Sequence, residues 1–301
     1  MPIPRPSLCR DFFPHLVLVS WRDGTPTSVG PQFDVGLSKT LIPPHASGFE
    51  IKAFFPDGQE ANFRAMKASA LQKQVYESHT HSVGFLREPL RVGKVREWFS
   101  RFPPGRVLDV GCGDGSVMKP LIERHEIHGV DISSGAVAKA NAAGIKAKLH
   151  DLEEPLPFAD GFFDAVFCGE TIEHQVDTDW LLSEINRVLK VEGQLVLTYP
   201  NIRTPVGIFM LVFLDMPPMY SARYRAPHYR DFTFRTIKIA LRNNGFEVVK
   251  AAGGAFHVPG IGECCETLAS LLPRFASTVI LLAKKITNSS YQPENAVREI
   301  Y

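Results

Sequence analysis

Two groups of residues have the types and spacing to do chemistry. The first is Asp109-Val110-Gly111-Cys112-Gly113-Asp114-Gly115, which follows one apolar run and precedes a helical one. Glycines let the chain turn tightly and bring its backbone close to a ligand. A dinucleotide loop is also glycine-rich, but its spacing is G-x-G-x-x-G, and Asp109 would repel a pyrophosphate. An acid at that position suits a cationic ligand. Asp131 lies 18 residues beyond Gly113, where a carboxylate can accept both hydroxyls of a ribose. Taken alone it could equally be a helix cap. His150-Asp151-Leu152 closes the next apolar segment and could bracket an adenine.

The second group is Gly169-Glu170-Thr171-Ile172-Glu173-His174. On a helical turn the i,i+3 and i,i+4 spacings would let Glu170, Glu173 and His174 converge. Two carboxylates with one imidazole suit a hard divalent ion such as Mg²⁺ or Mn²⁺. Without an ion, His174 could serve alone as a general base, or simply pack.

These residues need a frame. Apolar runs at 106–110, 127–131, 145–149, 164–168, 194–199, 246–250 and 277–283 read as strands. Helical periodicity marks 115–125, 134–143, 179–189 and 233–243 between them. Strands alternating with helices predict a doubly wound α/β fold whose mostly parallel sheet is covered on both faces, with ligands beyond the carboxyl ends of its strands. Helical spacing at 68–101 stops at Pro103-Pro104-Gly105. Residues 1–66 differ in texture, with strand-like segments either side of Pro56-Asp57-Gly58 predicting a β-rich extension. Residues 287–301 read as a polar, loosely held tail, leaving 67–286 as the main domain.

Composition narrows the partners. The 301 residues are 45% hydrophobic and 22% charged, which excludes a disordered or collagen-like chain. A formal net charge of +1, with no basic arm, argues against nucleic acid as the main partner. The five cysteines (9, 112, 168, 264 and 265) form no C-x-x-C pair, so neither a disulfide framework nor a thiolate zinc site is indicated. The most apolar window, 207–216, is far short of the ~20 residues that span a bilayer. The expected location is therefore cytoplasmic.

The segments VLDVGCGDGS (107–116), GVDIS (129–133), 150–174 and VLKVEGQLVLTYPN (188–201) resemble class I S-adenosylmethionine-dependent methyltransferases. The resemblance implies a seven-stranded sheet whose last strand is antiparallel. It implies that Asp109 and the glycines Gly111 and Gly113 face the methionine moiety of S-adenosylmethionine, that Asp131 holds the ribose and Asp151 with Leu152 the adenine, and that Cys112, Ile132 and Gly169 also line the cofactor. The E-x-x-E-H turn further resembles ubiquinone-biosynthesis O-methyltransferases and small-RNA ribose methyltransferases, in which it forms a metal site. Carried over, the ligands would be Glu170, Glu173, His174 and, from the H-Y-R-D-F-T segment, His228.

The expected activity is O-methylation of a small-molecule or carbohydrate-like acceptor, with a divalent metal activating the hydroxyl. The alternatives are a metal-free N- or C-methyltransferase with His174 as base, or a cofactor-binding scaffold without turnover. An insertion at 201–231 holds the apolar 207–216 run and the basic Arg223 and Arg225. It reads as a lid over the acceptor, as a helix sealing the sheet, or as a shallow contact with a membrane.

Overall fold

The computed structural model describes residues 89–216, 228–258 and 262–291, together with Lys73 and four short N-terminal strands. It divides into a unit of residues 1–67 and a unit of residues 68–301. In the first, β1 (Ser20–Arg22) pairs antiparallel with β2 (Thr25–Thr27), and β3 (Glu50–Phe54) with β4 (Glu60–Arg64). The predicted turn at 56–58 lies outside the described residues, as do 68–72 and 74–88 of the expected first helix and 217–227 of the insertion.

The second unit opens with α1 (Pro89–Arg101) and β5 (Arg106–Val110). It continues through β6 (Glu126–Asp131), α2 (Ser134–Ala142), β7 (Lys146–Leu149), β8 (Phe163–Gly169), α3 (Thr178–Val188) and β9 (Leu189–Pro200). After these come α4 (Pro205–Phe213), α5 (Phe234–Asn243), β10 (Phe246–Gly253), the β11 (Phe256–Val258) and β12 (Gly262–Cys264) pair, α6 (Glu266–Leu271) and β13 (Thr278–Lys285).

Seven of these strands form one sheet in the order β10-β13-β9-β8-β5-β6-β7. β13 runs antiparallel to both its neighbours, whereas β5, β6, β7, β8 and β9 pair in parallel. This is the seven-stranded, mostly parallel arrangement that the resemblance implied. Side chains alternate across the sheet, so Leu108, Val166, Leu195 and Leu281 join one buried cluster with α3 and α5. Val107, Phe167, Val196 and Ile280 join the other, against Val95, Trp98 and Phe99 of α1 and Ala140 of α2. Along β5, β8, β9 and β13 both faces are largely buried, which is why these strands read as nearly continuous apolar runs, whereas the edge strand β7 is mostly exposed.

One predicted helix is absent. Residues 115–125 form a succession of turns around a single 3₁₀ turn at Lys119–Leu121. Gly115 has φ +77°, which cannot start a right-handed helix, and Pro120 brings no N–H to continue one. The start of the tail is held more firmly than its polarity suggests. Ser289 donates its backbone N–H to Asn186 Oδ1 (3.1 Å), and the Tyr291 hydroxyl donates to Asp177 Oδ2, both acceptors on α3 or its cap.

Candidate active site

Three acids stand at the carboxyl ends of adjacent parallel strands, because β5, β6 and β7 pair in register. Asp109 is next to last on β5 and Asp131 ends β6, while Asp151 follows β7. The glycine loop after β5 is stapled to β6: Gly111 and Cys112 donate to the Val130 carbonyl (2.9 and 3.0 Å). Asp131 does the rest of the stapling. Its Oδ2 accepts from Gly113 N (2.8 Å) and its Oδ1 from Ser133 N (2.9 Å), so one carboxylate orders both the loop and the start of α2. His150 N donates to the Asp131 carbonyl (2.9 Å), tying in the third strand end.

The loop demands glycine where it meets the next strand. Gly111 has φ +72°, and a Cβ there would lie 2.4 Å from Thr171 Oγ1. That hydroxyl donates to the Val110 carbonyl (3.2 Å), so the loop and the turn after β8 pack directly together.

The electrostatics favour a cation beside Asp109. Complete burial, helped by nearby Asp131, pushes the Asp109 carboxyl up to about 8. Among the described residues its Oδ2 has no hydrogen-bond partner. A buried acid of this kind is stabilised as an anion by a positively charged ligand, which fits the ammonium and sulfonium of S-adenosylmethionine. Cys112 sits in the same loop, but its side chain is buried against Gly129, so it can meet a ligand only through its backbone. Burial and the neighbouring acids push its thiol up, and burial does the same for Cys168, so neither is a nucleophile.

The second group behaves differently from its spacing. The turn after β8 is 3₁₀, covering Ile172–His174, and Glu170 precedes it with φ +51°. Glu170 is thereby turned back along the sheet. Its N–H donates to the Thr198 carbonyl (3.1 Å), and its Oε1 accepts from the Thr198 hydroxyl (3.1 Å). The turn is thus 3₁₀ rather than α-helical, and Glu170 stands just outside its Thr171 cap.

Glu173, His174 and His228 do converge, with one potential ligand atom of each within 4.8 Å of the others. The imidazoles of His174 and His228 meet edge to face at 4.7 Å, and His174 Nε2 lies 3.9 Å from Glu173 Oε1. The segment carrying His228 is docked by backbone. Tyr229 and Arg230 donate their N–H groups to the Glu173 carbonyl (2.9 and 3.2 Å), and the Arg230 guanidinium donates to the Val176 carbonyl. Burial lowers the His228 pKa, keeping that imidazole neutral and able to donate a lone pair.

Several supporting residues carried no signal in the sequence. Arg91, on α1 and 2% exposed, donates to the Thr198 hydroxyl (3.2 Å), extending the chain that holds Glu170. Arg96 donates to the Ser116 and Val117 carbonyls and fixes the exit of the glycine loop. Buried Glu184 accepts from Leu156 N (2.7 Å) and pairs with Arg187, whose guanidinium caps the Leu156 and Phe158 carbonyls. That network pins the loop that follows Asp151 and Leu152. A hydrophobic-periodicity reading treats arginine and glutamate on helices as solvated, so these partners become visible only in three dimensions.

A family described as a methyltransferase domain matches residues 108–197. The chain is 31% identical over 137 residues to the ubiquinone biosynthesis O-methyltransferase of Xanthomonas oryzae pv. oryzae, covering 42% of this chain and 56% of that protein. It is 28% identical over 174 residues to the ubiquinone/menaquinone biosynthesis C-methyltransferase UbiE of Geotalea uraniireducens, covering 50% and 74% respectively. The chain thus spans little more than half the length of the first of these relatives. Among solved structures, a possible histamine N-methyltransferase from Thermotoga maritima superposes with a TM-score of 0.52 at 21% identity, over 71% of this chain and 99% of that one. That likeness speaks to the fold.

Proposed function

We propose that this chain, which carries a class I S-adenosylmethionine-dependent methyltransferase domain, methylates an oxygen of a small-molecule or carbohydrate-like acceptor. The observation that carries this reading is the Glu173–His174–His228 cluster, which follows β8 on the turn that packs against the glycine loop after β5. S-adenosylmethionine supplies a methyl group on a sulfonium, for in-line attack by a nucleophile held opposite the sulfur. An alkyl hydroxyl is a poor nucleophile at neutral pH until its proton is drawn away. The cluster can do this with an ion. The donors that group within 4.8 Å are one carboxylate and two imidazoles. That set tilts the preference from Mg²⁺ toward Mn²⁺ or another first-row divalent ion. A divalent ion held there would lower the pKa of the acceptor hydroxyl.

A second reading draws on the 3.9 Å separation of His174 Nε2 from Glu173 Oε1. In it His174 is neutral at the outset and alone takes the proton, and the Glu173 carboxylate stabilises the imidazolium that forms. The two separate experimentally. Turnover is read as S-adenosylhomocysteine release over a panel of quinols and sugars, and Mn²⁺ binding by calorimetry. A metal site predicts one Mn²⁺ bound per chain, loss of turnover in chelator, and His228→Ala as damaging as His174→Ala. Glu170→Gln should leave Mn²⁺ binding intact. Chelator-resistant turnover in a protein that binds no Mn²⁺, with only His174→Ala inactive, would remove the metal and leave the base.

A further inference from the structure

Helix α4 lies outside the site described above. Its nine residues, Pro205–Phe213, include no charged side chain, and Thr204 caps it by accepting from Gly207 N (2.8 Å). Of these residues only Gly207 is buried. Ile208, Phe209, Leu211, Val212 and Phe213 are exposed, Val212 and Phe213 by 67% and 72%, and Leu214 and Met216 continue the patch. At about 100° per residue, the exposed apolar positions on the helix cover an arc of roughly 200°. A partner protein with one flat face would take up little more than half of that arc. A fluid hydrocarbon can take all of it.

A second apolar segment lies at the base of this helix. Asn201 donates its side-chain amide to the Arg274 and Ala276 carbonyls (3.1 and 2.9 Å), and the Arg203 guanidinium sits 5.1 Å from the Phe275 ring centre. These contacts bring in exposed Leu271 and Leu272, which end α6 and follow it. The junction lies where β9 ends and β13 begins, at the same end of the parallel strands as Asp109 and Asp131. Arg203 and Arg274 are both exposed at its rim. Acids near this rim include Asp215, at the far end of the patch, exposed Asp231, next to Phe232 which bridges to Asn201, and Glu266, which lies 3.9 Å from Lys94 Nζ.

We propose that α4, with Leu271 and Leu272 at its base, embeds in the headgroup–acyl boundary of an anionic phospholipid membrane. Arg203 and Arg274 then rest against lipid phosphates, their stems along the apolar surface. The helix is about 13 Å long, too short to cross a hydrocarbon core of about 30 Å but long enough to lie in its surface. Among the described residues no helix is long and apolar enough to span a membrane, so any attachment through them is of this surface kind. The inference does not depend on which atom the domain methylates.

The test is co-sedimentation of the full chain with vesicles of phosphatidylcholine, with and without phosphatidylglycerol. The chain should bind the anionic vesicles more tightly, and added salt should weaken that preference. Phe209→Glu, Val212→Glu and Phe213→Glu together replace side chains that already face solvent, so the fold should hold, as a thermal melt will check. Vesicle affinity should fall by more than about tenfold. Arg203→Glu with Arg274→Glu should remove the anionic preference and leave weak binding to both vesicles. Phe213→Trp should show a blue-shifted emission when vesicles are added. Failure of the native chain to bind either vesicle overturns the proposal, as does undiminished binding by the triple variant. So does a native dimer that the triple variant converts to monomer without any vesicle binding, since a second copy would then cover the helix.

Discussion

Replacing Asp131 by alanine removes a carboxylate that serves two functions at once. Its oxygens accept from Gly113 N at 2.8 Å and Ser133 N at 2.9 Å. Burial raises its carboxyl pKa, while the amides of Ser133 and Gly113 pull it back down. Hydrogen bonds to charged acceptors are worth about 1.5–3 kcal/mol each, but Gly113 is only half-buried, so water can replace part of what is lost. Asp131→Ala should therefore lower stability without ligand by about 1–2 kcal/mol, seen in denaturant melts. The cofactor ribose would lose an acceptor for each of two hydroxyls, at about 1–1.5 kcal/mol apiece. Affinity should then fall about 30- to 150-fold, at 1.4 kcal/mol per tenfold. The assay is calorimetry with S-adenosylhomocysteine, which keeps the ribose and lacks the reactive methyl. Asp131→Asn keeps one acceptor but turns an NH₂ toward a backbone N–H, so it should fall between the native chain and alanine. If both folded variants bind within about twofold of the native chain, Asp131 does not hold the ribose and the reasoning fails.

Three further outcomes are expected. Gly111→Val forces a side chain into a left-handed position 2.4 Å from Thr171 Oγ1, and should cost at least about 2 kcal/mol of stability and abolish S-adenosylhomocysteine binding. Native affinity in a chain that melts normally would contradict the packing described. For Asp109, whose carboxyl is pushed up to about 8, pairing with the cofactor ammonium requires loss of a proton. Affinity should rise with pH from about 6 to 8 by up to roughly tenfold per unit and then level off, with proton release seen as buffer-dependent heats. Asp109→Asn should flatten that profile; an equally flat native profile would rule out the pairing. The sign for folding is opposite. The unfolded carboxyl ionises first, so the contribution of Asp109 to stability declines between about pH 4 and pH 8.

Much of the frame was legible because its determinants are local. Doubly buried strands appear as apolar runs, and alternate glycines mark a turn that other residues resist, so Asp109, Asp131 and Asp151 could be assigned to strand ends from the sequence. Local pattern failed where the backbone broke its own period. Residues 115–125 carry helical spacing, yet Gly115 and Pro120 deny them a helix. Glu170 has the right offset from Glu173 and His174, but its positive φ turns it toward Thr198.

His228 lies far along the chain from Glu173, and its place follows from two backbone hydrogen bonds that Tyr229 and Arg230 donate to the Glu173 carbonyl. Composition identified 207–216 as apolar, but not whether it packs inward or outward, because the same residues satisfy a buried helix and an exposed one. Periodicity records which face of an element is apolar. Which distant group meets that face is decided by chain closure and packing, and those are properties of the folded chain as a whole.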